Sequence, residues 1–137
     1  MKDLIDAASW RAILFNEDGA TRTYYENLRQ HRLTSTRCQA CGYTSFPPRL
    51  FCPRCQMTEV VWSDLPERGS LYAFTCQSRS LRFPAPDVIG LIDFLNCDRV
   101  LALLDGRLED LAIGMTMALG FHQVSENLTV PCFKPIR

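Results

Sequence analysis

Apolar and polar positions along this chain change their period twice. In residues 2–16, Leu4, Ile5, Ala8, Ile13 and Leu14 recur at roughly helical spacing. Asn16-Glu17-Asp18-Gly19 is a turn signal. Thr21 to Leu33 then predicts a second helix, capped by Thr21 or Thr23, with Tyr24, Leu28 and His31 on one face. From Thr34 to Thr58 the periodicity disappears. That stretch holds four cysteines, Pro47, Pro48, Pro53, Gly42 and few aliphatic residues, so it cannot bury a core of its own without a staple.

After Trp62 the pattern becomes that of strands. Leu71–Cys76, opened by Arg68-Gly69, predicts one; Val88–Leu95 and Val100–Leu104 predict two more, joined by a hairpin turn at Asn96-Cys97-Asp98. Met115, Met117, Leu119 and Phe121 alternate with Thr116, Ala118, Gly120 and His122, the period-two pattern of a half-buried strand. Val130–Ile136 predicts a last, proline-limited edge strand. Short strands on an antiparallel plan fit a small OB-like barrel. The expected organisation is a helical segment over 1–33, a cysteine-rich module over 34–62 and a barrel over 63–137.

The cysteine spacing is Cys38-x2-Cys41-x10-Cys52-x2-Cys55. Two residues between cysteines let both sulfurs of a knuckle reach one ion while the turn aims backbone N–H groups at them. Gly42 follows the second cysteine, where a knuckle often needs positive φ, and Pro53 sits at a turn position that tolerates its fixed φ. Four thiolates predict a closed tetrahedral zinc ribbon that serves folding, not chemistry. A redox pair would open a helix in a βαβ unit, and no such pattern surrounds these residues. The remaining cysteines, Cys76, Cys97 and Cys132, stand alone; an odd total of seven argues against a disulfide framework.

Composition narrows the function classes. The 137 residues carry 15 Lys plus Arg against 15 Asp plus Glu, which gives no net field to steer the chain to nucleic acid or a membrane surface. Asp3 and Asp6 interrupt what would be the apolar part of a secretory signal, so the expected location is the cytoplasm. Within the neutral balance, the basic residues are almost all arginine, Lys2 and Lys134 excepted. Asn27–Thr58 contains no Asp or Glu but does contain Arg29, Arg32, Arg37, Arg49 and Arg54. These five either form a patch for phosphates or offset the charge of the thiolates.

Other candidates for chemistry are weak. A cysteine nucleophile needs a partner base, and no local signature links His31 or His122 to Cys76, Cys97 or Cys132. His122 falls on the polar phase of its strand. Asp105, Glu109 and Asp110 read as a solvated turn. No glycine-rich phosphate loop, HExxH or GxSxG occurs.

Taken in order, several pieces resemble the zinc-ribbon and OB-fold family termed domain of unknown function 35. They are Tyr24-Tyr25 with Leu28 and His31-Arg32-Leu33; Arg37-Cys38 to Gly42, Phe46-Pro47-Pro48-Arg49 and Cys52-Pro53-x-Cys55; Trp62, Leu65 and Gly69–Thr75; Ile113-Gly114-Met115; and Phe133-Lys134-Pro135. The resemblance implies a mainly β chain with N-terminal helices, a rubredoxin-like zinc ribbon and then an OB-fold barrel. It also implies a non-catalytic accessory subunit that binds acyl-CoA and scaffolds a thiolase-like or ketosynthase-like enzyme, or else a hydratase or aldolase acting on CoA thioesters. The implied CoA groove lies between ribbon and barrel, lined by Phe46, Pro48, Arg49 and Phe74, with Arg49 as the phosphate contact. Pro86-Asp87-Val88 departs from the family pattern, in which a tyrosine often follows that proline, and the loop from Gln77 to Pro86 has no family template. The rival readings are a single-stranded nucleic-acid binder, since ribbons and OB barrels both occur in such proteins, and an acyltransferase using a lone cysteine.

Overall fold

The computed structural model describes residues 19–79 and 87–136. The expected first helix over 2–16 and most of the loop from Gln77 to Pro86 lie outside the described residues. Helix α1 spans Gly19–Arg29. It begins before Thr21 and Thr23, so neither threonine caps it. Ala20, Tyr24 and Leu28, four residues apart, form its buried stripe. The helix ends four residues earlier than its apolar spacing predicts. The N–H of Arg32 donates to the Asn27 carbonyl at 3.0 Å and that of His31 to the Leu28 carbonyl at 2.9 Å. With His31 at φ 58°, this is a Schellman stop. His31 thereby leaves the helix face and stacks on Phe121, with ring centroids 4.8 Å apart.

Strands β1 (Thr34–Cys38), β2 (Thr44–Ser45) and β3 (Val60–Asp64) form a sheet in the order β2-β1-β3. Its interior is built from hydroxyls. Thr34, Ser35, Thr36, Thr44 and Ser45 are all buried. Thr34 Oγ1 accepts from Asn27 Nδ2 at 2.9 Å. Ser35 Oγ donates to the Ser45 carbonyl. Thr36 Oγ1 accepts the Arg49 N–H at 3.0 Å and donates to the Arg49 carbonyl at 2.7 Å. Satisfied in this way, the polar interior costs little to bury, but it also contributes little hydrophobic stabilisation.

Strands β4 (Arg68–Gln77), β5 (Asp87–Asp93), β6 (Val100–Leu104), β7 (Thr116–Ser125) and β8 (Leu128–Pro135) close a barrel in the order β4-β5-β6-β8-β7. A bulge between Leu71 and Ala73 in β4 shifts the register, with Leu71 buried and Tyr72 exposed. Two expectations are corrected. The last strand is not an edge: β8 pairs with β7 on one side and with β6 on the other. The plan is also not wholly antiparallel, because β6 and β8 run parallel through Leu103↔Cys132 and Leu104↔Phe133. Neither Pro131 nor Pro135 falls in that short parallel register, so their missing N–H groups do not break it.

Helix, ribbon end and barrel share one core. Tyr24, Leu28, Leu33 and Leu65 pack in the same buried cluster as Leu71, Ile92, Phe94, Val100, Leu104, Met117 and Phe133. Gly90 sits where that packing leaves no room for a side chain. A Cβ there would lie 2.7 Å from Leu104 Cδ1 and 2.8 Å from the Ala73 carbonyl oxygen. Gly90→Ala is therefore expected to destabilise the fold by about 1–3 kcal/mol, the usual cost of overpacking. Urea unfolding checks this; an unchanged midpoint would show that β4 and β6 yield at no cost. Among the described residues no helix is long and apolar enough to cross a membrane.

Candidate metal centre and the ribbon–barrel cleft

The two cysteine knuckles are built alike. In the first, Gly42 N–H donates to the Cys38 carbonyl at 2.9 Å, and Cys38 N–H to the Tyr43 carbonyl at 2.9 Å. In the second, Gln56 N–H donates to the Cys52 carbonyl at 2.9 Å, and Cys52 N–H to the Met57 carbonyl at 2.8 Å. The residue after each second cysteine is left-handed: Gly42 at φ 80° and Gln56 at φ 65°. Gly42 was legible as such in the sequence, whereas Gln56 takes that conformation without a glycine to announce it.

The turns bring all four Sγ atoms within 4.8 Å of one another. Cys38 and Cys55 sulfurs are 3.5 Å apart, and those of Cys41 and Cys52 are 3.6 Å apart. A regular tetrahedron of thiolates around zinc, with Zn–S near 2.3 Å, has edges of about 3.8 Å. The cluster fits that ion and is too open for disulfides, whose S–S bond is about 2.05 Å. Backbone N–H groups favour the thiolate form at all four positions, while burial and the adjoining thiols raise Cys41 and Cys55 overall. That of Cys41 lies 3.5 Å from Cys38 Sγ and lowers the Cys38 pKa. That of Cys55 leads in bringing Cys52 down to about 7. Zinc with four thiolates leaves no open position for a substrate.

The ribbon is sewn to the barrel at one turn. Thr44 N–H donates to the Asn96 carbonyl at 3.1 Å, and Asp98 N–H to the Thr44 carbonyl at 3.0 Å, so the β5–β6 turn adds a rung beside β2. Asn96 Nδ2 donates to the Gly42 carbonyl at 3.1 Å. Asp98 receives the Tyr43 hydroxyl on one oxygen and the Phe46 N–H on the other, the latter at 3.0 Å. The hydrogen bond to Asp98, with burial second, pushes Tyr43 up to about 12. The segment expected as a plain hairpin turn is thus the joint between the two modules.

Beside this joint lies a cleft of about 460 Å³ between helix, ribbon and barrel. Tyr24 and Tyr25 come from α1, Phe46 and Pro47 from the ribbon, and Ile89, Leu101 and Pro131 from β5, β6 and β8. Of the four groove residues expected from sequence, Phe46 lines this cleft, whereas Pro48, Arg49 and Phe74 are not among its lining residues. Arg49 is exposed, and Phe74 packs against the core. Arg99 and Leu101 had not been singled out. For Leu101 the one signal was the unbroken apolar run Val100–Leu104, since Leu101 must face away from a core that takes Val100 and Ala102, and Arg99 had none.

Of the three lone cysteines, Cys76 is exposed and Cys97 and Cys132 are partly buried. Burial, with help from Asp98 and Asp93, pushes the Cys97 thiol up to about 11; burial and Asp105 do the same for Cys132. Both surroundings favour the thiol over the thiolate. His122 is exposed. Glu109 and Asp110 lie 3.6 and 3.2 Å from Arg107 in the exposed turn that the sequence predicts.

The family model for the ChsH2 rubredoxin-like zinc ribbon domain matches residues 26–60, and that for the ChsH2 C-terminal OB-fold domain matches residues 62–122. A relative named "Probable enoyl-CoA hydratase alpha subunit" from Thermomonospora curvata is 28% identical over 88% of this chain, which spans only 38% of that subunit's length. A "DUF35 domain-containing scaffold protein" from Methanothermobacter thermautotrophicus is 24% identical, covering 77% of this chain and 83% of that one. Among solved structures, the one described as "Ltp2-ChsH2(DUF35) aldolase" aligns at TM-score 0.77 and 25% identity, covering 88% of this chain and 97% of the other. A DUF35 protein of unknown function from Sulfolobus solfataricus aligns at TM-score 0.63 and 18% identity, covering 96% and 99%, a likeness of fold. Ribbon and barrel thus have matching parts in the same order, and the chain belongs to the ChsH2-type DUF35 family of zinc-ribbon and OB-fold proteins.

Proposed function

We propose that this chain is an accessory subunit that holds a CoA thioester and docks a thiolase-like or ketosynthase-like enzyme, which supplies the catalytic residues. The observation that carries this reading is the apolar cleft at the ribbon–barrel joint, walled by aromatic and aliphatic side chains from helix, ribbon and barrel. Its shape suits an acyl chain or pantetheine arm. The names of its relatives support the accessory part of this reading: one is a hydratase subunit, one a scaffold, and one an aldolase assembly. The zinc ribbon supplies rigidity. Leu50, Phe51 and Met57 stand exposed around its second knuckle, within a stretch that holds arginines and no acids. That combination fits a partner surface with an apolar centre and an acidic rim.

Leu101 offers a clean test because it is 58% exposed and its replacement leaves the core intact. Leu101→Glu is expected to fold as the wild type does, yet to weaken octanoyl-CoA binding by roughly 10-fold to 100-fold in calorimetric titration, the effect of a carboxylate in an apolar cleft. Equal affinity for the variant would remove the cleft from the reading. A tagged-protein pulldown from the native host, eluted with and without acetyl-CoA, tests the partner. Recovery of an enzyme acting on CoA thioesters supports the accessory role. Recovery of nucleic acid, or turnover of acyl-CoA by this chain alone, replaces it with one of the rivals.

A further inference from the structure

A second, smaller cavity of about 270 Å³ adjoins the joint, lined by Tyr43, Arg54, Asp93, Asn96, Cys97, Asp98 and Arg99. It is as polar as its neighbour is apolar. Arg99 lines both, so the two spaces adjoin at that residue. We infer that the smaller cavity is a phosphate-binding subsite, with Arg54 and Arg99 as its cationic groups, and that it takes the phosphate end of a CoA thioester whose acyl end enters the apolar cleft. This deepens the CoA-thioester reading above and rests on it.

Both guanidinium groups are held in place by aromatic faces. Arg54 lies 4.2 Å from the Tyr43 ring centre, and Arg99 lies 3.6 Å from that of Tyr72. Stacking orients the planar fork and leaves its edges free to donate, which is the geometry that recognises phosphate oxygens in pairs.

Two carboxylates share the cavity, and the structure accounts for both. Asp98 has its oxygens engaged by the Tyr43 hydroxyl and the Phe46 N–H, so it belongs to the joint. Asp93 meets Arg99 through Nε alone, at 3.5 Å, with the two side chains 45% and 44% exposed. A pair so long and so wet contributes about 0–1 kcal/mol, and the terminal nitrogens of Arg99 remain for another anion. The ribbon side adds no competing acid, since Asn27–Thr58 contains none. Cys97, protonated at neutral pH, adds no negative charge. Arg49, the guanidinium favoured from sequence, is not among the residues lining either cavity.

The test compares two ligands that share an acyl arm and differ in phosphate. Octanoyl-CoA and S-octanoyl-pantetheine are titrated into the full chain as wild type, Arg99→Met and Arg54→Gln. Zinc content is measured for each, because Arg54 lies between two cysteine ligands. Each substitution is expected to weaken octanoyl-CoA binding roughly tenfold, as for loss of one charge-assisted hydrogen bond, and to leave octanoyl-pantetheine binding unchanged. Wild-type affinity for octanoyl-CoA in a zinc-replete Arg99→Met chain would overturn the subsite while leaving the cleft reading intact. Equal weakening of both ligands would also overturn it, by showing that Arg99 acts on the cleft and not on phosphate. Failure of the wild type to bind either ligand would sink the CoA-thioester reading together with the subsite.

Discussion

Cys41→Ser is expected to cost the chain its zinc and its ribbon while most of the barrel stays folded. The reason lies in what the ribbon buries. Its interior is Thr34, Ser35, Thr36, Thr44 and Ser45, whose hydroxyl bonds contribute about 1 kcal/mol each at best. Ordering the backbone costs about 1–2 kcal/mol per residue. Those hydrogen bonds do not offset that cost over a module of this length. A structural zinc with four thiolates supplies on the order of 10–16 kcal/mol, and one missing ligand removes much of it. The barrel keeps Leu71, Ile92, Val100, Met117 and Phe133, which do not depend on the metal. Limited trypsin digestion reads this out. Arg37 lies in β1, paired on both sides, so it is cut only when the sheet opens. Cleavage there is expected to rise on the order of 100-fold in the variant, and in the wild type after chelation, while fragments beginning beyond Asp64 persist. A metal-free chain that protects Arg37 as the wild type does would contradict a structural role for zinc.

Phe133→Ala is expected to destabilise the barrel by about 3–5 kcal/mol, a large share of the 5–15 kcal/mol that holds a typical domain. Phe133 heads the fully buried side chains by volume. It sits in β8 opposite Leu119 of β7 and Leu104 of β6, where the barrel closes. Its ring packs at 6.2 Å from that of Phe94, and its carbonyl accepts the Asp105 N–H at 2.8 Å. Truncation opens a cavity at the strand that shuts the barrel, and the neighbours, fixed by ladders on both sides, collapse poorly into it. Urea unfolding followed by circular dichroism measures the loss. Ile113→Ala, at a residue 71% exposed, is the control and is expected within about 0.5 kcal/mol of wild type. Equal midpoints for the two variants would show that Phe133 does not anchor the closure.

The metal site was legible because it is local. Each knuckle is four residues long, so spacing alone specifies that two sulfurs converge, and Gly42 marks its left-handed turn. The strands were legible where side chains alternate, as from Met115 to Phe121, because a half-buried strand imposes period two on its own residues. The helix end was not. His31 does at φ 58° what a glycine would have signalled, and it does so while stacked on Phe121, far along the chain.

What depends on partners distant in sequence had to come from the fold. Pro131 and Pro135 make β8 look like an edge, and only closure against β6 shows why it is not. The cleft follows the same rule. Phe46 was expected through the family resemblance, but Arg99 and Leu101 gain meaning only when the barrel sets them against Tyr24, Pro47 and Pro131. The covalent neighbourhood carries ligand spacing, turn chemistry and face alternation, because each is a constraint within a few residues. Which faces meet is set by burying the most apolar surface at once. That is a property of the whole chain, and no local spacing encodes it.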